Sequence, residues 1–127
     1  LPAVEIIDSR YKDFKFDLVS VQADNSSSTR FVVGSHAARP EDFDWPTVGV
    51  VMQKNGEIVE VGAGAAVLDH PAASVAMLAS MLDERGEGIP AGTFIMTGGV
   101  TAAVLVERGD SIVVRYQGLG NVSMRFV

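Results

Sequence analysis

Glu5 is the residue with the clearest chemical potential. It stands inside Val4-Glu5-Ile6-Ile7, an apolar β-prone run, rather than on a charged face. A carboxylate removed from water is costly unless it is paired or bound to a metal. Glu5 therefore reads either as a metal ligand or as a strand position alternating outward, with Val4 and Ile6 facing in; residue pattern alone favours the second. Asp8-Ser9-Arg10 follows at once. Arg10 there could grip a carboxylate with its guanidinium fork, or the cluster could be a turn closed by an internal Asp–Arg pair, which pattern favours. Asp24-Asn25-Ser26-Ser27 offers donors and acceptors for orienting a small polar ligand, and equally has the composition of a plain polar loop.

Other chemistries are excluded or unsupported. The chain has 0 cysteines, so thiolate nucleophiles, disulfides and Cys-ligated metals are out. Any metal site must use carboxylates, imidazoles or carbonyls, and oxygen-rich sites suit Mg²⁺ or Mn²⁺. The 2 histidines, His36 and His70, are too isolated to argue a metal pair or a Ser/His/Asp triad, and His70 before Pro71 reads as a helix cap. Gly62-Ala63-Gly64 lacks the third glycine of a dinucleotide fingerprint. The sequons at Asn25 and Asn121 read as chance matches.

The composition sets the frame for these residues. With 127 residues, 47% of them apolar, the chain suits one domain with a modest core. Its 10 basic and 16 acidic side chains leave a net charge of −6, with no basic stripe for nucleic acid. A charged fraction of 20% argues against disorder. No apolar run approaches the roughly 20 residues of a membrane helix, so no membrane partner and a cytoplasmic location are expected. The opening Leu1-Pro2, without methionine, implies processing or a longer parent chain.

The elements that must position the chemistry follow from spacing. Val4–Ile7 reads as a strand. Tyr11, Phe14, Leu18 and Val21 recur at three and four, favouring a helix or helical turns from Tyr11 to Val21, although Phe14-Lys15-Phe16 could alternate as strand. Arg30–Val33 reads as a strand closed by Gly34, and Ser35–Pro46 as a surface connection. Thr47–Gln53 and Glu57–Val61 form a hairpin about Asn55-Gly56. Gly62 and Gly64 mark a bulge or a close backbone approach. The firmest helix is Pro71–Arg85, capped by His70 or Asp69, with Val75, Leu78, Ala79 and Leu82 on one apolar face and Gly86 as its stop. Strands are expected at Thr93–Thr97, Val100–Val106, Ser111–Tyr116 and Val122–Val127. The result is a mixed α/β, strand-dominated single domain over residues 1–127.

Several strings, in order along essentially the whole chain, resemble the hydratase/decarboxylase branch of the fumarylacetoacetase superfamily. They are Pro2-Ala3-Val4-Glu5-Ile6-Ile7-Asp8-Ser9-Arg10, Ala23-Asp24-Asn25-Ser26-Ser27 and His70-Pro71-Ala72-Ala73-Ser74-Val75-Ala76. Phe94-Ile95-Met96-Thr97-Gly98-Gly99-Val100 and Tyr116-Gln117-Gly118-Leu119-Gly120-Asn121 complete the set. The resemblance implies a rolled β-sheet core with peripheral helices, of which this chain is the C-terminal half, the N-terminal half being absent. It implies Mg²⁺, or Mn²⁺, held by Glu5 together with an upstream Glu-x-Glu pair. No Glu-x-Glu occurs in this chain. A catalytic lysine is likewise expected in the missing half, so no catalytic residue is assigned. Ile7, Arg10, Asp24, Asn25, Ser26 and Thr97 are implied as the substrate-side residues.

The implied reaction is metal-dependent decarboxylation of 2-oxohex-3-enedioate, a small dicarboxylic 2-oxo acid, to 2-hydroxypenta-2,4-dienoate in aromatic meta-cleavage degradation. Hydration of 2-hydroxypenta-2,4-dienoate is the alternative; the wording of Tyr11–Phe16 and Met96–Gly99 leans to decarboxylation. An inactive structural or interaction unit is the alternative of another class. The resemblance also implies a homo-oligomer and association with the pathway hydratase.

Overall fold

A computed structural model describes residues 1–127, all of the chain. Its strands form two antiparallel sheets. The smaller pairs β1 (Ala3–Ile7) with β2 (Ser28–Val33), placing Glu5 opposite Phe31, with a register slip between Ile6 and Ile7. The larger has the order β4-β3-β5-β6, from β3 (Gly49–Lys54), β4 (Glu57–Ala63), β5 (Ser111–Tyr116) and β6 (Gly120–Arg125). The β3–β4 hairpin turns on Asn55 and Gly56, whose φ values of 54° and 90° match the twist of the flanking strands.

The core lies on the inner face of the larger sheet. Val50, Ile112 and Val114 are its buried centre, and Val4 of β1 packs against them. The phenol of Tyr116 donates to the carbonyl oxygen of Ala3, tying β5 directly to β1. Gly34 closes the sheets at the other end, where an added Cβ would stand 2.7 Å from Pro2 and 3.3 Å from Val122.

Gly62 and Gly64 were expected to mark a bulge or a close backbone approach, and both mark a close approach. A Cβ on Gly62 would stand 2.4 Å from the carbonyl oxygen of Val100, and one on Gly64 would stand 1.8 Å from that of Trp45. Only glycine lets these segments pass.

Several sequence expectations are corrected. Of the helix or helical turns expected over Tyr11–Val21, the structure has a single 3₁₀ turn at Lys12–Phe14 and the short α1 (Leu18–Ala23), begun by Asp17, whose carboxylate accepts the Ser20 N–H at 2.8 Å. Upstream, Asp13 and Phe14 take left-handed φ values of 57° and 52°, which no helix propagates. The strands expected at Thr93–Thr97 and Val100–Val106 do not form. From Phe94 to Val106 the backbone makes no backbone-to-backbone hydrogen bond and joins neither sheet. Residues of β-prone type become strands only where a ladder partner exists.

α2 (Pro71–Asp83) starts where expected, with Pro71 in its first turn and His70 at the cap. Its apolar face is not buried, since none of its residues is, and Leu78 remains 38% exposed. The apolar stretch Gly64–Asp83 has mean hydropathy 1.4. Its continuous helix has 13 residues, about 20 Å at 1.5 Å per residue against a hydrocarbon core of about 30 Å. Left-handed Leu68 and Asp69 break the stretch before it.

Only 11 of 127 residues are buried, and 8676 Å² of surface is exposed. A compact chain of 13.4 kDa exposes about 6,500 Å². A hollow between the two sheets contains the candidate site.

Candidate functional site

The hollow is a cavity of about 660 Å³, with 25 of its 35 lining residues hydrophobic. It is lined by β1, by residues of β3, β5 and β6, and by the segment Phe94–Val104. His70 and Pro71, at the start of α2, close one side. Glu5 is the only acidic side chain on the lining, and no lysine or arginine borders it.

Glu5 reaches this cavity by strand alternation. It is exposed while its neighbours Val4 and Ile6 are partly covered, as period-two geometry requires. Its Oε1 accepts a hydrogen bond from Ser28 Oγ, and no cation pairs with it. Opposite Glu5, the ring of Phe31 stacks on Phe94, with centroids 5.1 Å apart and planes 15° from parallel. That stack holds the segment bearing Thr97 against β2, the partner of the Glu5 strand, although no backbone ladder joins them.

The sequence-derived candidates divide into two groups. Glu5, Ile7 and Thr97 line the cavity. Arg10, Asp24, Asn25 and Ser26 do not; they belong to a separate cluster built around Asp24. The Asp24 side chain is 4% exposed. Its carboxylate accepts from Arg10 Nε, from the Arg10 N–H at 3.2 Å, from Ser27 Oγ at 3.2 Å and from Ser9 Oγ at 3.4 Å. Burial opposes its charge, but the hydrogen bonds from Arg10 and Ser27 and the Arg10 charge outweigh burial and hold its pKa below the ordinary value. The Arg10 fork is filled within the chain, since Nη2 donates to the Asp24 carbonyl and Nη1 to that of Asp8 at 3.1 Å. The internal pair is thus Arg10 with Asp24, not with Asp8.

The same cluster sustains unusual backbone. Asn25, Ser26 and Ser27 have φ values of 52°, 53° and 60°, consecutive left-handed residues without a glycine. Each costs on the order of 1 kcal/mol. The turn is pinned by Ser27 N–H on the Asp24 carbonyl at 3.0 Å and by Asp8 N–H on the Ser27 carbonyl at 2.8 Å. Ser27 is buried, while Asn25 and Ser26 stay exposed.

Two site residues escaped the sequence reading. Tyr116 borders the cavity and anchors the Glu5 strand; burial raises its pKa, which keeps the phenol a donor. Its position in an alternating strand gave no signal of that contact. His70 was read only as a cap, and the structure puts it on the cavity lining as well.

The chain by itself assembles no group of three histidine or acidic side chains able to hold a metal. Glu5 fits as one carboxylate of an oxygen-rich set: it is solvent-accessible, has no cation partner and sits on an otherwise apolar wall.

This architecture, two antiparallel sheets around an open carboxylate-bearing hollow, has a family match. The model of the fumarylacetoacetate (FAA) hydrolase C-terminal family matches residues 8–127, and the chain belongs to that family. Within it, the chain is 70% identical over all 127 residues to a 4-oxalocrotonate decarboxylase of Pseudomonas putida, covering 48% of that protein. It is 37% identical over 126 residues to 2-keto-4-pentenoate hydratase 1 of Dechloromonas aromatica (strain RCB), again covering 48%. The solved structure of 4-oxalocrotonate decarboxylase from Pseudomonas putida G7, complexed with magnesium and adipate, superposes with a TM-score of 0.95 at 69% identity. That match covers 99% of this chain and 48% of the other. The chain thus spans about half the length of the curated relatives it matches.

Proposed function

We propose that this chain is the C-terminal half of a divalent-metal-dependent carboxy-lyase. Its reaction would be decarboxylation of 2-oxohex-3-enedioate to 2-hydroxypenta-2,4-dienoate. The observation that carries the reading is the placement of Glu5, an unpaired carboxylate on the wall of an apolar cavity. Its strand belongs to a chain 70% identical to a decarboxylase and nearly superposable on a magnesium-bound one. Mg²⁺, or Mn²⁺ in its place, would supply Lewis-acid stabilisation of the negative charge developing as CO₂ leaves.

The residues of this chain supply the rest of the wall. Glu5 contributes one metal ligand, and its hydrogen bond from Ser28 fixes the carboxylate rotamer. Ile7 and Thr97 border the same space, one apolar and one a hydroxyl donor. The apolar lining excludes water, which strengthens every charge interaction inside. Arg10 and Asp24 hold the Asn25–Ser26 turn, whose exposed side chains lie off this chain's part of the cavity and would meet a substrate only beyond that lining. No lysine borders the cavity, so the proton-transfer group and the remaining metal ligands come from outside these residues.

On its own the chain is then an inactive unit, a reading favoured by the lack of a three-ligand cluster and by the excess exposed surface. The proposal extends to a cytoplasmic homo-oligomer able to associate with the pathway hydratase. Its direct test is an assay of the full-length protein with Mg²⁺ on 2-oxohex-3-enedioate, following CO₂ release. Hydration of 2-hydroxypenta-2,4-dienoate without CO₂ release would transfer the assignment to the hydratase.

A further inference from the structure

A dicarboxylate held at a metal by one end needs a second anchor for the other. This chain's own part of the cavity offers few candidates. With no lysine or arginine on its lining, its polar side chains besides Glu5 are Trp45, His70, Thr97, Thr101 and Tyr116. The Trp45 indole already donates to the Pro40 carbonyl at 2.6 Å, and the Tyr116 phenol to Ala3. That leaves two threonine hydroxyls and one imidazole.

The state of the imidazole is fixed by its own neighbour. His70 Nδ1 accepts the Ala72 N–H at 3.0 Å, so Nδ1 is unprotonated and the ring proton lies on Nε2. Nε2–H has no partner within the chain. The first turn of α2 is otherwise closed: Pro71 has no N–H, and the Ala73 N–H donates to the His70 carbonyl at 2.8 Å. The helix start therefore offers a ligand only the imidazole. Left-handed Leu68 and Asp69, with φ values of 50° and 64°, immediately precede it and set the entry of His70 to the helix.

The geometry points to His70 as the specificity residue for a diacid, its neutral Nε2–H donating to the carboxylate remote from the metal. This rests on the proposed reaction, because it requires a second carboxylate on the substrate. It also gives the cap two functions: Nδ1 starts α2, and Nε2 serves the ligand.

The test is binding of adipate against hexanoate, acids of equal length with two carboxylates or one, to the full-length protein with Mg²⁺. His70→Asn retains a capping side chain but withdraws the imidazole reach; His70→Asp is a second good cap that places a negative charge there. We expect His70→Asn to weaken adipate by about 10-fold or more, the value of a hydrogen bond to a charged group, and hexanoate by less than about twofold. His70→Asp should lose still more adipate affinity, with thermal unfolding close to the parent for at least one variant. Unchanged adipate affinity, or equal losses for both acids, would overturn the assignment. A protein that shows the adipate–hexanoate split but releases no CO₂ retains the His70 role and loses the proposed reaction. One that releases CO₂ without the split loses His70 alone.

Discussion

The phenol of Tyr116, on the central strand pair of the larger sheet, donates to the carbonyl of Ala3, two residues before Glu5 on the smaller sheet. It joins the two walls of the cavity and sets where the Glu5 strand lies. Tyr116→Phe removes the bond and leaves the Ala3 carbonyl facing an apolar ring. We expect about 1 kcal/mol lower stability in denaturant unfolding. In the full-length protein Mg²⁺ affinity should fall severalfold, while Tyr116→Phe keeps its ring packing. Unaltered metal affinity would show that β1 is held by Val4 packing alone.

The Arg10–Asp24 cluster should be the most sensitive polar spot in the chain. Asp24→Asn keeps the size but cannot accept all of the donors now aimed at it, and leaves Arg10 without its partner charge. The left-handed Asn25–Ser27 turn then loses its pin. A fall in Tm of about 5 °C or more is expected, with activity of the full-length enzyme falling further than stability explains. Ser9→Ala, removing only the 3.4 Å donor, should be nearly neutral in both measurements.

Acid stability should carry the signature of Asp110. Its carboxylate accepts from Lys54 Nζ at 2.9 Å, Asn55 Nδ2 at 2.7 Å and the Glu107 N–H at 2.7 Å, and these lower its pKa from 3.8 to about 2. The folded value lies below the unfolded one. The contribution is therefore complete above pH 3.8 and is lost as pH falls toward about 2. Asp24, whose pKa is also lowered, acts with the same sign. Chemical denaturation between pH 6 and 2 should show stability declining over that acid limb, and Asp110→Asn should flatten it. Lys54 also donates to the Leu105 carbonyl at 2.9 Å, so Lys54→Met should in addition loosen the Phe94–Val106 wall, read as faster hydrogen exchange there.

Gly64 permits the closest approach in the molecule. An alanine there puts Cβ 1.8 Å from the Trp45 carbonyl oxygen, backbone against which no rotamer can relax. Gly64→Ala should cost about 3 kcal/mol, the upper end for overpacking. Gly88→Ala, with open space around its Cβ, is the control and should change unfolding little.

What could be read from sequence follows a physical boundary. Asn55-Gly56, the glycines at 62 and 64, and the His70-Pro71 helix start are local signals, each set by backbone sterics or a cap within a few residues. Their expectations held. The strands expected at Thr93–Thr97 and Val100–Val106 failed because β-prone composition does not say whether a partner edge lies beside them. The apolar face of α2 was legible, but not that it stays uncovered. Glu5 stood out by its odd position inside an apolar strand, and the outward alternation that pattern favoured is what the structure shows, while its metal role rests on the family resemblance. The pairing of Arg10 with Asp24, fourteen positions apart, depends on the whole β1–β2 excursion and left no pattern in the residues.

Glu5 itself gives the most direct experiment. Its carboxylate is exposed and holds only Ser28, so replacing it should hardly disturb the fold. Glu5→Gln keeps the shape and the hydroxyl contact but removes the charge, and a neutral amide is a poor ligand for a hard cation. In the full-length protein we expect Mg²⁺ affinity and decarboxylation to fall at least about 100-fold with Tm nearly unchanged, since losing one of a few anionic ligands costs on the order of several kcal/mol of binding. Calorimetric titration of the 127-residue chain alone should show no tight Mg²⁺ binding, because the chain gathers no group of three acids or imidazoles that could complete a site. Tight stoichiometric binding by the isolated chain, or full activity of Glu5→Gln, would mean that the metal is held elsewhere.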